Sequence, residues 1–147
     1  MKKALTILLA ALSFSVSLMG QNGITVQVGA DSSVDCFLST DHVSASVGLG
    51  VLSRVGGFDQ WVSFIGGVRY IYGPRLSGFQ VPIMLNANLI KGGKVSGYLG
   101  GGFEFDFIGT YYGAMKIQTG VAGEHFDFCV FYKPYQGDLG AGFTYYF

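Results

Sequence analysis

Eight consecutive stretches of this chain alternate bulky apolar residues with small or polar ones, and in each stretch one phase carries no charge. The stretches span about residues 23–31, 42–54, 60–72, 79–90, 95–107, 111–122, 125–133 and 138–147. A period of two predicts β-strands with unlike faces, and none of the stretches has a helical period. The charge-free phase runs through Val26 and Val28, Val47 and Leu49, Phe64 and Tyr70, and Ile83 and Leu85. It continues through Leu99 and Phe103, Met115 and Ile117, Phe128 and Tyr132, and Phe143, Tyr145 and Phe147. The other phase holds Gln27, Ser44, Ser46, Ser63, Arg69, Gln80, Asn86, Asn88, Glu104, Asp106, Lys116, Gln118 and Asp127, interleaved with glycine. Picking the apolar phase strand by strand separates the sets in part by construction. A charge-free phase in every one of the stretches does not follow from that choice.

The opening "MKKALTILLAALSFSVSLMG" is of another kind. Lys2 and Lys3 precede an apolar run from Ala4 to Met19, and Gly20 ends it. This is the charged start, apolar centre and small-residue exit of a secretory signal peptide over residues 1–20, with a retained helical anchor as the alternative. No cysteine follows directly, so lipoprotein processing is not expected. Residues 21–147 then form one domain.

Half of the residues are hydrophobic and only 12% are charged, against roughly 25% in a typical soluble domain. After the leader, no apolar stretch reaches membrane-helix length. A greasy soluble β-domain and a membrane β-barrel remain. In a sandwich or lipocalin-like barrel the apolar face would point inward. Three features favour the inverted arrangement. The polar face is rich in glycine and poor in lysine and glutamate, unlike a soluble surface. Tyrosines (Tyr70, Tyr111, Tyr132, Tyr145) lie near strand ends on the apolar face, where an interfacial girdle belongs. The strands are long enough to cross a bilayer at a tilt. The expected fold is an all-β, eight-stranded antiparallel up-and-down transmembrane β-barrel, with Phe147 at the periplasmic rim.

The connections carry turn chemistry. "KGGK" at 91–94 suits a two-residue hairpin on Gly92–Gly93, and "GPRLSG" and "KPYQGD" are turn sequences too. The segment from Ser32 to Asp41 is the longest connection and, around Cys36, the only one roomy enough for contacts. Pro82 removes a ladder hydrogen bond, so a local bulge is expected there.

"FQVPIMLNANL" followed by "VSGYLGGGFEF" resembles the Ile-Pro-Leu-Leu strand and the following Gly-rich strand of small outer-membrane β-barrel domains, the PorT-like and OmpX-like barrels of Gram-negative bacteria. "HFDFCVFYKPYQGDLGAGFTYYF" is similar to that family's closing hairpin. The resemblance implies insertion by the outer-membrane barrel assembly machinery, which reads a last strand ending in phenylalanine; Phe143, Tyr145 and Phe147 would be that signal. It transfers no catalytic residue.

An eight-stranded barrel is just wide enough for side chains to fill, so inward charges must pair. A turn near Ile108–Gly109 brings Glu104 to Lys116, and Arg69 is expected to reach Asp106, giving a structural ion network of Arg69, Glu104, Asp106 and Lys116. Inward glycines work against a filled interior, since each removes volume. His42-Val43-Ser44 resembles the His-x-Ser spacing of outer-membrane lipid deacylases, but a three-residue match is frequent by chance. Cys36 and Cys129 read as unlinked small apolar side chains, with a disulfide as the alternative. No metal-ligand spacing and no basic cluster for nucleic acid are present. The expected protein is a monomeric outer-membrane barrel in contact with outer-membrane lipid, structural or interacting in role, with no cofactor and no enzyme activity. A lipid-A-modifying hydrolase and a soluble periplasmic lipid-binding barrel are the alternatives.

Overall fold

The computed structural model describes residues 25–38, 43–74, 77–108 and 110–147, with the backbone alone for Leu38, Ile108 and 110–112. Residues 1–24, which include the expected leader, and His42 lie outside the described residues, as does the Tyr111 side chain. The elements are β1 (Val26–Leu38), β2 (Val43–Val55), β3 (Val62–Tyr72), β4 (Ser77–Gly92), β5 (Val95–Ile108), β6 (Thr110–Gly123), β7 (Phe126–Lys133) and β8 (Asp138–Tyr146). Each pairs antiparallel with the next, and β1 pairs with β8, so the eight strands close a barrel. Thr25, Phe147 and the β2–β3, β4–β5 and β6–β7 turns share one end, the terminal end. The β7–β8 turn lies at the opposite end.

The two phases fall as the alternation predicts. Leu49, Leu85, Leu99 and Phe103 point outward and are 64%, 55%, 52% and 55% exposed, whereas Arg69, Glu104, Lys116 and Lys133 point inward and are 0–3% exposed. Closure removes the sheet edges, so the backbone of β1 and β8 is paired rather than left as an open template.

Three local expectations need correction. The segment from Ser32 is not a loop: β1 runs on to Leu38, and Cys36 pairs with Ala45 on one side and Leu139 on the other. The strand runs on because Asp31, Ser33 and Asp35 continue the inward phase and two neighbours pair with it. The β4–β5 turn sits on Gly93–Lys94, with Gly92 paired to Val95. Gly93 has φ +63° and, among the described residues, no non-glycine residue has positive φ, the sign pattern of a II′ turn with glycine first. Pro82 causes no bulge. The β3–β4 pairing lapses opposite it, between Gly66–Ile83 and Arg69–Gln80, and resumes in the same register. This gap absorbs the missing N–H. The bulge lies instead at Asn88–Ile90, between β4 and β5.

Candidate functional site

The interior is built around one carboxylate. Glu104 of β5 meets Arg69 of β3 at 3.0 Å, Lys133 of β7 at 2.7 Å and Lys116 of β6 at 3.9 Å. Arg69 also donates from Nε to Asp31 of β1 at 2.6 Å, and Lys133 donates to Asp35 at 2.6 Å. Thr144 of β8 donates to the other oxygen of Asp31 at 2.9 Å. Arg69, Lys116 and Lys133 thus face Asp31, Asp35 and Glu104, balanced in charge and drawn from strands all around the barrel. Such a cluster is tolerable in a dry interior because each charge has a partner.

Register explains which partners meet. Asp31, Gly50, Arg69, Gln80 and Asp106 follow one another across β1 to β5. Gly50 has no side chain, so Arg69 spans it to Asp31. Gln80 fills the corresponding place on the other side. The expected Arg69–Asp106 pair therefore does not form; Arg69 turns to Asp31 and Glu104. Both carboxylate oxygens of Asp106 are buried without a well-formed hydrogen bond, as is the amide of Gln80. Of the expected network, Arg69, Glu104 and Lys116 come together and Asp106 stands apart. Asp31, Asp35 and Lys133 complete it.

Glycines on the inner wall make room for neighbouring side chains. A methyl group at Gly48 would lie 2.5 Å from Cδ of Arg69, and one at Gly140 would lie 2.3 Å from the Phe131 ring. Phe131 thus lies against the wall inside the barrel, and the Lys116 ammonium sits 3.9 Å from its centroid, a cation–π contact.

Toward the terminal end, Leu52, Ile65 and Met84 form a small apolar layer. Beside it Tyr98 donates to Asp127 at 2.5 Å, and Gln118 donates to Asn86 at 2.9 Å. The cavity left among these groups is about 20 Å³, room for one water. The terminal mouth is closed twice. Arg54 lies 4.2 Å over the Tyr146 ring and donates to Gln27 and to the carbonyls of Gly123 and Glu124. The β2–β3 turn folds across the opening, with Ser96 donating to the Phe58 carbonyl and Asn88 to that of Gln60.

Other expected residues fall as follows. Cys36 lies in the outward phase of β1 and Cys129 in the inward phase of β7, and both are free thiols, so opposite faces of the sheet separate them. Ser44 is half-buried at the strand end away from the network, and His42 lies outside the described residues. Phe143, Tyr145 and Phe147 form an outward ladder 45%, 49% and 78% exposed, with the Phe147 amide donating to the Val28 carbonyl at 3.0 Å. Among the described residues, no group of three His, Cys, Asp or Glu side chains is placed to hold a metal ion. Chemically, the paired interior can brace the barrel wall. The chain matches no family model and no curated protein.

Proposed function

We propose that the chain is an integral outer-membrane β-barrel protein, exported by the leader over residues 1–20, monomeric, with a filled interior and a structural or interaction role rather than a catalytic one. It is proposed as a relative of the PorT-like barrels, assembled through Phe143, Tyr145 and Phe147 by the barrel assembly machinery. The supporting observation is where the charges and hydroxyls lie. Each charged side chain of the described residues is either buried inside the barrel or, like Asp59, Lys91, Lys94 and Glu124, exposed on a turn at the terminal end. The outward hydroxyls of the mid-strand band turn back to the sheet. Ser32 donates to the Phe143 carbonyl at 3.3 Å, Ser53 to Gly66 at 3.0 Å and Thr119 to Tyr98 at 2.8 Å. A surface meeting water has no need of that economy; one meeting hydrocarbon does.

The band has the right height. Ten residue steps along β5, from Gly97 to Phe107, rise about 33 Å, or about 25 Å at a tilt of about 40°, the apolar band of an outer-membrane barrel. A lipid-carrying soluble barrel would need an apolar cavity, and this interior is charged and nearly full.

Cell fractionation tests the reading. The mature chain should sediment with outer membranes, stay there through carbonate washing and leave only with detergent. Recovery as a soluble periplasmic monomer would overturn the proposal.

A further inference from the structure

The outer face is not uniform. Val62, Leu85, Ala87, Leu99, Gly101 and Ile117 line a shallow groove of about 300 Å³ across β3 to β6, where Ala87 and Gly101 leave a hollow among larger neighbours. At its terminal end the bulge at Asn88–Ile90 turns two successive apolar residues outward, Leu89 and Ile90, 60% and 73% exposed. Trp61, 69% exposed, stands beside them and next to Val62. The Lys91 ammonium lies 4.2 Å from the Trp61 ring centroid and donates to the Asp59 carbonyl at 2.8 Å, leaving further N–H donors free. Lys94, exposed on the same turn, adds a second cation. Asp59 is the acid of the neighbouring turn.

We propose that this sector is a binding site for an anionic phospholipid, its phosphate held by Lys91 and Lys94 and one acyl chain lying in the groove. The inference rests on the membrane reading above. Charge complementarity selects the occupant: an apolar hollow that ends in an interfacial tryptophan and two lysines matches the amphipathic order of a lipid with a negative headgroup. A second groove on the same barrel provides the contrast. It is lined by Ser32, Val34, Val47, Phe128, Ala141 and Phe143, and the turn at its terminal end carries Glu124 and His125. Among the described residues it has no lysine or arginine at that rim and is expected to show no such preference.

The test uses the mature protein in nanodiscs of equal phosphatidylglycerol and phosphatidylcholine, released into detergent and weighed by native mass spectrometry. The expected result is one retained phosphatidylglycerol in preference to phosphatidylcholine. Retention should weaken about fivefold for each lysine removed, in Lys91→Ala and Lys94→Ala. Gly101→Leu should lower retention of the lipid without unfolding the barrel, because a Cβ there meets nothing closer than 3.7 Å. A folded, nanodisc-embedded barrel with no preference, or one unmoved by these variants, overturns the site and leaves the membrane reading standing. A chain that stays in water as a folded monomer overturns both. Dimers that Gly101→Leu disperses would overturn it in favour of a second copy on this face.

Discussion

Lys116 and Ile117 are neighbours in β6, yet the lysine is 2% exposed and the isoleucine 39%. The same inversion holds for Glu104 and Phe103, and for Arg69 and Tyr70. On the inside, each charge of the central cluster is tolerated because a partner of opposite sign lies within 4 Å. On the outside, apolar side chains are exposed and the few hydroxyls are tied back to carbonyls. The contrast teaches that burial in this molecule follows pairing rather than hydropathy. A soluble domain buries what water rejects; here the interior takes the charged side chains and the outer face carries the apolar ones.

The largest effect should come from breaking the pairing inside. Glu104→Ala leaves Arg69, Lys116 and Lys133 facing only Asp31 and Asp35, and it should destabilise the barrel by about 3–5 kcal/mol. Urea unfolding of the barrel refolded into lipid vesicles measures this. A loss under about 1 kcal/mol would mean that water enters and screens the cluster.

A charge on the outer face should cost somewhat less. Leu49→Arg, at the middle of β2, is expected to lose about 2–4 kcal/mol in the same titration, as for a basic residue at the bilayer midplane. An effect within about 0.5 kcal/mol, usual for a soluble surface, would erase the contrast between the faces.

The smallest effect sharpens the boundary of the inner cluster. Asp106 is buried and makes no ion pair among the described residues, so Asp106→Asn should change stability by less than about 1 kcal/mol, in either direction. A loss as large as that at Glu104 would put Asp106 back among the paired charges.

Most of the fold was legible because a period of two leaves little freedom once a charge-free phase recurs eight times. Strand count, antiparallel order and the inward placement of Arg69, Glu104 and Lys116 follow from that alternation. The misses came where a local signal competed with it. The segment from Ser32 reads as a connection, although Asp31, Ser33 and Asp35 keep the polar phase intact. Lys133 ends the stretch 125–133 and opens the turn sequence "KPYQGD", and the turn signal hides that it continues the inward phase of Asp127 and Phe131. The failure of Arg69 to meet Asp106 depends on Gly50 and Gln80 flanking it across the sheet, and cross-strand register is invisible until the strands are paired. Inner glycines were ambiguous for the same reason: only the packed barrel shows Arg69 and Phe131 filling the space they leave.

The central claim is that the outer face meets lipid. The chain has a single tryptophan, Trp61, so Trp61→Phe with Leu49→Trp places one fluorophore at the middle of the outward band. Refolded into vesicles whose acyl chains carry bromine at graded depths, that tryptophan should be quenched most by bromines near the bilayer centre and should be shielded from aqueous acrylamide. Fluorescence insensitive to bromine at every depth and quenched by acrylamide would contradict the account.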